Sequence, residues 1–446
     1  MSKNRKVKKI QDRDNLYSFL KYYVVDFSLK FSYRTIKYVG KEKIPTDGAV
    51  IYAPNHTNAL MDALIILSLD KKPKVFVARA DIFKKRLFAK ILTFLKIMPI
   101  MRIRDGYDEV KKNNETIEKA VDVLKDKVPF CILPEGTHRA MHSLLPLSKG
   151  IFRIAMQAQP LLGDTPLYIV PVGLEYGNFF RFRSTVRVQI GDPINISQFL
   201  NENSQYNAAE QMNILKDDLT AKMKDTIVYI PDDENYDATY DICAAVVNQQ
   251  NKELAAKQGK RFLRGLDGHF VSNRATVEKI GRLKTENPKL AEKLFSLGNK
   301  ARHIRVKNGI SLSSVSIQYP FWSRLLKFLI FVLLLPYTIP ASILSSPTNA
   351  LSRFLFTKMK DHAFRNSVVF VINLVVWPLL LLIYSIVGFC LFPWEWVLLG
   401  ILVLSPAPIF AQETYRLFRL MISDVKLLFN SKLRKIYSQI REILAN

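Results

Sequence analysis

A histidine and an aspartate stand six positions apart in Asn55-His56-Thr57-Asn58-Ala59-Leu60-Met61-Asp62, directly after the apolar run Ala49–Ala53. A carboxylate that holds an imidazole lets the ring take a proton from a hydroxyl near neutral pH. Taken alone, the pair also fits a plainer reading, a helix N-cap followed by a surface acid. Segments further along the chain decide between the two readings.

The first is Met98–Gly106, an apolar stretch that ends with Arg102 and Arg104 two residues apart. In an extended chain that spacing turns both side chains to one face. A guanidinium matches phosphate geometry with two parallel hydrogen bonds, so the pair is able to grip a phosphate; the plainer reading is two solvated arginines. The second is Phe130–Arg139, where an apolar strand stops abruptly at Pro134-Glu135-Gly136-Thr137. Strand ends are where α/β folds place ligand sites. There Glu135 can accept a hydroxyl hydrogen bond, Gly136 allows close backbone approach and Arg139 adds positive charge. An ordinary polar turn is the plainer reading. Lys149-Gly150 then opens a helix, a place where anions are favoured. The last segment, Ile169–Gly173, is a core strand by composition.

These residues need a scaffold that gathers them. Between residues 40 and 200, short β-rich runs (Ala49–Ala53, Lys74–Ala78, Phe130–Leu133, Tyr168–Gly173, Thr185–Ile190) alternate with helical stretches (Asp62–Leu69, Lys84–Lys96, Tyr107–Lys127, Gly150–Gln157). Such alternation predicts an α/β fold, a mixed sheet flanked by helices. Residues 1–39 lead in with a basic amphipathic helix over 15–38, able to lie in a membrane interface or to pack on the domain that follows. Residues 201–320 are polar and read as a helical appendage with no catalytic constellation.

Residues 321–411 form an apolar region. Ser367–Phe392 holds no charge and is long enough to cross a bilayer. Residues 394–411 follow across the interfacial turn Pro393-Trp394-Glu395-Trp396. The pattern predicts two spans, about 367–390 and 394–411. The earlier run 325–344, interrupted by Pro336 and Pro340, reads as re-entrant or interfacial, with a third span as the other possibility. Lys and Arg flank this hairpin (Arg353, Lys358, Lys360 and Arg365 before it, a basic tail over 412–446 after it) and are absent from its turn. The positive-inside rule then places the flanks, and the catalytic part with them, in the cytoplasm.

Composition agrees. The 446 residues carry a net charge of +26, which calls for a polyanionic partner. With 49% hydrophobic residues, the partner is a membrane surface or a phosphorylated substrate rather than nucleic acid, which needs no long apolar runs. The three cysteines, Cys131, Cys243 and Cys390, show neither disulfide nor metal spacing. No serine or cysteine is placed as a nucleophile, and Cys131 is expected to be buried.

The four ordered segments resemble the motifs of the glycerolipid acyltransferases of the phosphatidic-acid pathway: an Asn-His followed by an Asp, an apolar stretch ending in arginine, a Pro-Glu-Gly-Thr, and an apolar Val-Pro. Two departures stand out. Five residues, Thr57 to Met61, separate His56 from Asp62 where four are usual, and this resembles the fungal subgroup that acylates glycerol-3-phosphate or dihydroxyacetone phosphate. His138 stands where arginine is common, which moves the basic residue to Arg139. The resemblance implies a membrane-bound acyltransferase with His56 as general base and Asp62 as its orienting carboxylate. It implies Arg102, Arg104, Glu135, Gly136, Thr137 and Arg139 as the groups that bind the phosphorylated acceptor. It implies no metal and no cofactor beyond the acyl-CoA or acyl carrier protein thioester that donates the chain. Lysophosphatidate or another lysophospholipid is the alternative acceptor. A non-catalytic lipid-binding scaffold is the alternative outside enzymes.

Overall fold

A computed structural model describes residues 9–100, 113–317, 321–359 and 361–445. They fall into two compact units. One runs to Ile227 and also takes in Asp361–Ser367; the other comprises Val228–Lys360 and Val368–Asn446.

The first unit is the expected α/β domain. Its strands are β1 (Tyr33–Val39), β2 (Ala49–Pro54), β3 (Val75–Arg79), β4 (Ile97–Ile100), β5 (Phe130–Cys131), β6 (Leu167–Tyr176), β7 (Ser184–Ile190) and β8 (Ile194–Asn195). They form one sheet in the order β1-β7-β6-β2-β5-β3-β4, with β8 on β6. The central strands β4, β3, β5, β2 and β6 run parallel. β7 is antiparallel to β6, and β1 is parallel to β7. The start of β1 therefore lies on the same edge of the sheet as the ends of β2, β5 and β6. Parallel strands covered on both faces read as unbroken apolar runs, and every residue of β2 is buried. On one face the helices Asn113–Lys125, Gly150–Ala158 and Ala208–Thr226 bury Val123, Phe152 and Leu219 against Ile51, Phe130 and Ile169. The last of these helices approaches β6 so closely that a Cβ on Gly173 would lie 2.1 Å from the Thr226 carbonyl oxygen.

Several expectations change. The predicted helix over 15–38 ends at Ser32; β1 takes the rest, because Tyr33–Val39 pairs along its length with β7. Ile97–Ile100, which the sequence reads only as part of an apolar stretch, is a strand. The sheet unit continues past residue 200 to Ile227, since the helix Ala208–Thr226 completes its core.

The second unit is helical. Tyr236–Lys257, Gly265–Glu286, Pro288–Lys307 and Ser431–Ala445 share a core that includes Ile242, Val246, Leu294 and Ile440. The basic tail is thus part of a packed bundle; its apolar positions Leu433, Ile436, Tyr437, Ile440 and Leu444 are buried. Within the bundle Arg305 makes two hydrogen bonds to the fully buried Asp241, at 2.7 and 2.9 Å, and Tyr437 donates to the same carboxylate at 3.2 Å.

Two helices among the described residues have the length and composition to cross a membrane: Phe321–Leu344 and His362–Leu391. The first is one continuous helix despite Pro336 and Pro340. The expected span over 394–411 is instead a bent pair, Trp394–Leu404 and Ala407–Phe429, turned by 44° at Ser405-Pro406.

Candidate active site

The site residues collect at the sheet edge where β2, β5 and β6 end. His56 lies in the loop after β2, and Asp62 in the first turn of the helix Leu60–Leu67. Asn55 holds the loop to β6: its side chain accepts from the Leu174 N–H at 2.6 Å and donates to the Leu174 carbonyl at 3.3 Å. The chain then turns back sharply. Met61 N–H donates to the Asn58 carbonyl at 2.9 Å, and Ala59 takes φ 45° and ψ −123° between them.

 This left-handed conformation of Ala59, rare for a residue with a Cβ, closes the five-residue gap and brings Asp62 under the imidazole.

Asp62 is fully buried, and both of its oxygens are in use. Oδ2 accepts from His56 Nδ1 at 2.8 Å and from the backbone N–H groups of Thr57 and Asn58 at 2.8 and 2.7 Å. Oδ1 accepts from the Tyr176 hydroxyl at 2.6 Å. With Nδ1–H given to Asp62, Nε2 is the ring nitrogen left to take a proton. Tyr176 ends β6, and its hydroxyl meets that of Tyr33 at the start of β1. Burial pushes both phenols well above their ordinary range, so they remain protonated donors.

The Pro134 turn is bound to the His56 loop. Glu135 accepts the His56 N–H on one oxygen at 2.7 Å and the Leu145 N–H on the other at 2.9 Å, and Arg139 N–H donates to the His56 carbonyl at 3.1 Å. Burial pushes the Glu135 carboxyl up to about 7, against the pull of those two N–H groups and of His56. In the structure, then, Glu135 joins two loops. Gly136 has φ +65°, a Cβ there would meet Ser148 at 3.9 Å, and both it and Thr137 are exposed. The Arg139 guanidinium donates to the Ser143 hydroxyl at 2.8 Å. Ser148 N–H donates to the Pro134 carbonyl at 2.7 Å and so brings the start of the helix Gly150–Ala158 to the same turn. Arg102 and Arg104 lie outside the described residues. Cys131 is fully buried, and burial pushes its thiol well up, which suits core packing and not nucleophilic attack.

Further residues join the site, and of these the sequence marks only His138, as a departure from the motif. His138 stands edge-on to His56, with ring centroids 5.1 Å apart, and donates from Nε2 to Asp361 at 2.6 Å. Tyr33 lies in a segment that reads as helix, and Tyr176 continues a strand that reads as plain core. The reversed direction of β1 and β7 brings Tyr33 to this edge, and the extension of β6 beyond the end of β2 carries Tyr176 there.

Residues 35–175 match the model of the Acyltransferase family. Over 298 residues the chain is 26% identical to glycerol-3-phosphate O-acyltransferase 2 of Saccharomyces cerevisiae, covering 63% of this chain and 39% of that protein. Over 189 residues it is 28% identical to a chloroplastic 1-acyl-sn-glycerol-3-phosphate acyltransferase of Brassica napus, covering 40% of this chain and 50% of that protein. The chain thus spans half or less of the length of these relatives. The overall likeness to the crystal structure of a 1-acyl-sn-glycerophosphate acyltransferase from Thermotoga maritima is slight, with a TM-score of 0.30 and 22% identity over 46% of this chain and 85% of that one. The segment that matches the Acyltransferase model, residues 35–175, is the one that carries the His–Asp pair and the Pro-Glu-Gly-Thr turn.

Proposed function

We propose that the protein is a membrane-bound O-acyltransferase that moves a fatty acyl group from a thioester to a hydroxyl of glycerol-3-phosphate or dihydroxyacetone phosphate. The observation that carries this reading is the closed pair: His56 Nδ1 lies 2.8 Å from a fully buried Asp62, leaving Nε2 to act as base. His56 Nε2 takes the acceptor's hydroxyl proton as that oxygen attacks the thioester carbonyl. The tetrahedral intermediate then expels the thiolate, which leaves with the proton from the imidazolium. Asp62 holds the tautomer and stabilises the imidazolium between the two steps. The acceptor's phosphate is bound by Arg102 and Arg104, with the exposed turn Gly136-Thr137 and Arg139 beside its glycerol part.

The choice of acceptor rests on the five-residue gap and on the yeast relative, whose name gives glycerol-3-phosphate. The Brassica relative's name gives a lysophosphatidate, which favours the second reading. The donor is acyl-CoA or acyl carrier protein. The catalytic unit is cytoplasmic in this reading, and so is the start of the span after Asp361. The contact between Asp361 and His138 supports that placement.

The test is an acyltransferase assay on purified full-length protein, with both donors and with glycerol-3-phosphate, dihydroxyacetone phosphate and lysophosphatidate as acceptors. The expected product is the acylated glycerol-3-phosphate or dihydroxyacetone phosphate. His56→Ala is expected to lower the rate by about a hundredfold or more, the usual contribution of a general base. Near-normal turnover by this variant would refute the mechanism.

A further inference from the structure

The short segment Asp361–Asn366 follows the Pro134–Thr137 turn by more than two hundred positions, yet it reaches the His–Asp pair along two separate routes. The first route runs through His138. Asp361 Oδ2 accepts from His138 Nε2 at 2.6 Å, while its Oδ1 accepts the Ala363 N–H at 2.9 Å and so fixes the carboxylate to its own turn. Phe364 stands edge-on to the His138 ring at 5.0 Å, and His56 lies 5.1 Å from the same ring. His138 is thus gripped by Asp361 and Phe364 and set against the catalytic imidazole.

The second route runs through the phenols. Asn366 Nδ2 donates to the Tyr33 hydroxyl at 3.0 Å, Tyr33 hydrogen-bonds Tyr176, and Tyr176 donates to Asp62 Oδ1 at 2.6 Å. Asn366, Tyr33, Tyr176 and Asp62 are all buried. Each link has no water to replace it, so cutting one leaves a buried polar group unpaired. Both routes end on His56, one at its ring and one through its carboxylate.

We propose that Asp361 and Asn366 are positioning residues for acyl transfer, a two-armed clamp that sets the orientation of His56 and Asp62 from a distant part of the chain. The proposal rests on the acyltransferase reading above. A misplacement of about 1 Å in a general base lowers turnover by as much as about a hundredfold, while substrate binding, made by other groups, is left alone.

The test uses the full-length protein in detergent or bilayers, assayed with the acceptor that the panel identifies. Asp361→Asn and Asn366→Leu are each expected to lower kcat by about tenfold or more, with KM for donor and acceptor within about twofold. Asp361→Glu, which keeps the carboxylate, is expected to recover part of the loss. The decisive comparison is a double-mutant cycle. In a His138→Gln background, Asp361→Asn is expected to cost nothing further, because that arm is already cut. An equal loss in both backgrounds would make Asp361 a merely structural residue and overturn the proposal. Normal kcat in Asp361→Asn and Asn366→Leu, or a raised acceptor KM with kcat unchanged, would do the same. If His56→Ala also turns over normally, the acyltransferase reading itself has failed; if His56→Ala is inactive and the two clamp variants are not impaired, only the clamp has failed.

Discussion

Every hydrogen-bond donor around Asp62 is fixed by the fold itself. Two backbone N–H groups, one imidazole and one phenol converge on a carboxylate with no access to water. That arrangement depends on Ala59, which holds a conformation that costs a residue with a Cβ about 1–3 kcal/mol. Its φ and ψ suit glycine, which adopts positive φ without a steric penalty. Ala59→Gly is therefore expected to keep full activity and to raise stability by up to about 1 kcal/mol, after the added entropy of a glycine in the unfolded chain is subtracted. Ala59→Val is expected to lower both. Denaturant midpoints together with initial rates check the pair, and a destabilised Ala59→Gly would show that the turn is not under strain.

At the scale of elements, the sheet and the helical unit are held by different means. The sheet unit depends on apolar contact across parallel strands and on backbone approach at Gly173. In the helical unit, a buried ion pair joins two helices, and a third, Ser431–Ala445, adds a hydrogen bond to it. Arg305, from the helix Pro288–Lys307, grips Asp241 of the helix Tyr236–Lys257, and Tyr437 of the helix Ser431–Ala445 donates to the same carboxylate. Removing one partner of such a pair leaves the other charge buried and alone, at a cost of about 3–5 kcal/mol. Asp241→Ala is expected to lower the unfolding free energy of this unit by that amount, and its unfolding midpoint with it. Replacing both partners with apolar residues, as in Asp241→Leu with Arg305→Met, is expected to recover most of the loss. Thermal unfolding followed by circular dichroism checks both variants, and a double variant no better than Asp241→Ala would contradict the account.

At the scale of the whole molecule, the helix His362–Leu391 starts at residues that belong to the sheet unit and leads to a turn without Lys or Arg. The proposed topology puts that turn across the membrane from the active site. Cysteine labelling tests it in intact vesicles of known orientation. In a Cys390→Ser background, Glu395→Cys is expected to react with an impermeant maleimide only from the side opposite the catalytic unit, and Thr357→Cys only from the same side. Labelling of both from one side would reject the hairpin.

The local sequence determined a good deal. The apolar runs of β2, β5 and β6 mark the buried parallel strands, because strands covered on both faces leave no polar position to interrupt them. His56, Asp62 and the Pro134–Thr137 turn announce the site, because each lies just beyond such a strand. Charge and hydropathy mark the apolar helices and the helical character of residues 205–308. What only the tertiary structure decided is how the site is closed. Tyr33 reads as the end of a helix until its pairing with β7 makes it the start of a strand. Tyr176 reads as core until the extension of β6 past the end of β2 sets its hydroxyl beside Asp62. Asp361 and Asn366 carry no local signal, since a hydrogen bond across 223 or 333 positions leaves no periodicity in the chain. Short-range patterning records which residues are buried and in which element. Which distant groups meet at a sheet edge depends on strand order and direction, and these are properties of the folded chain alone.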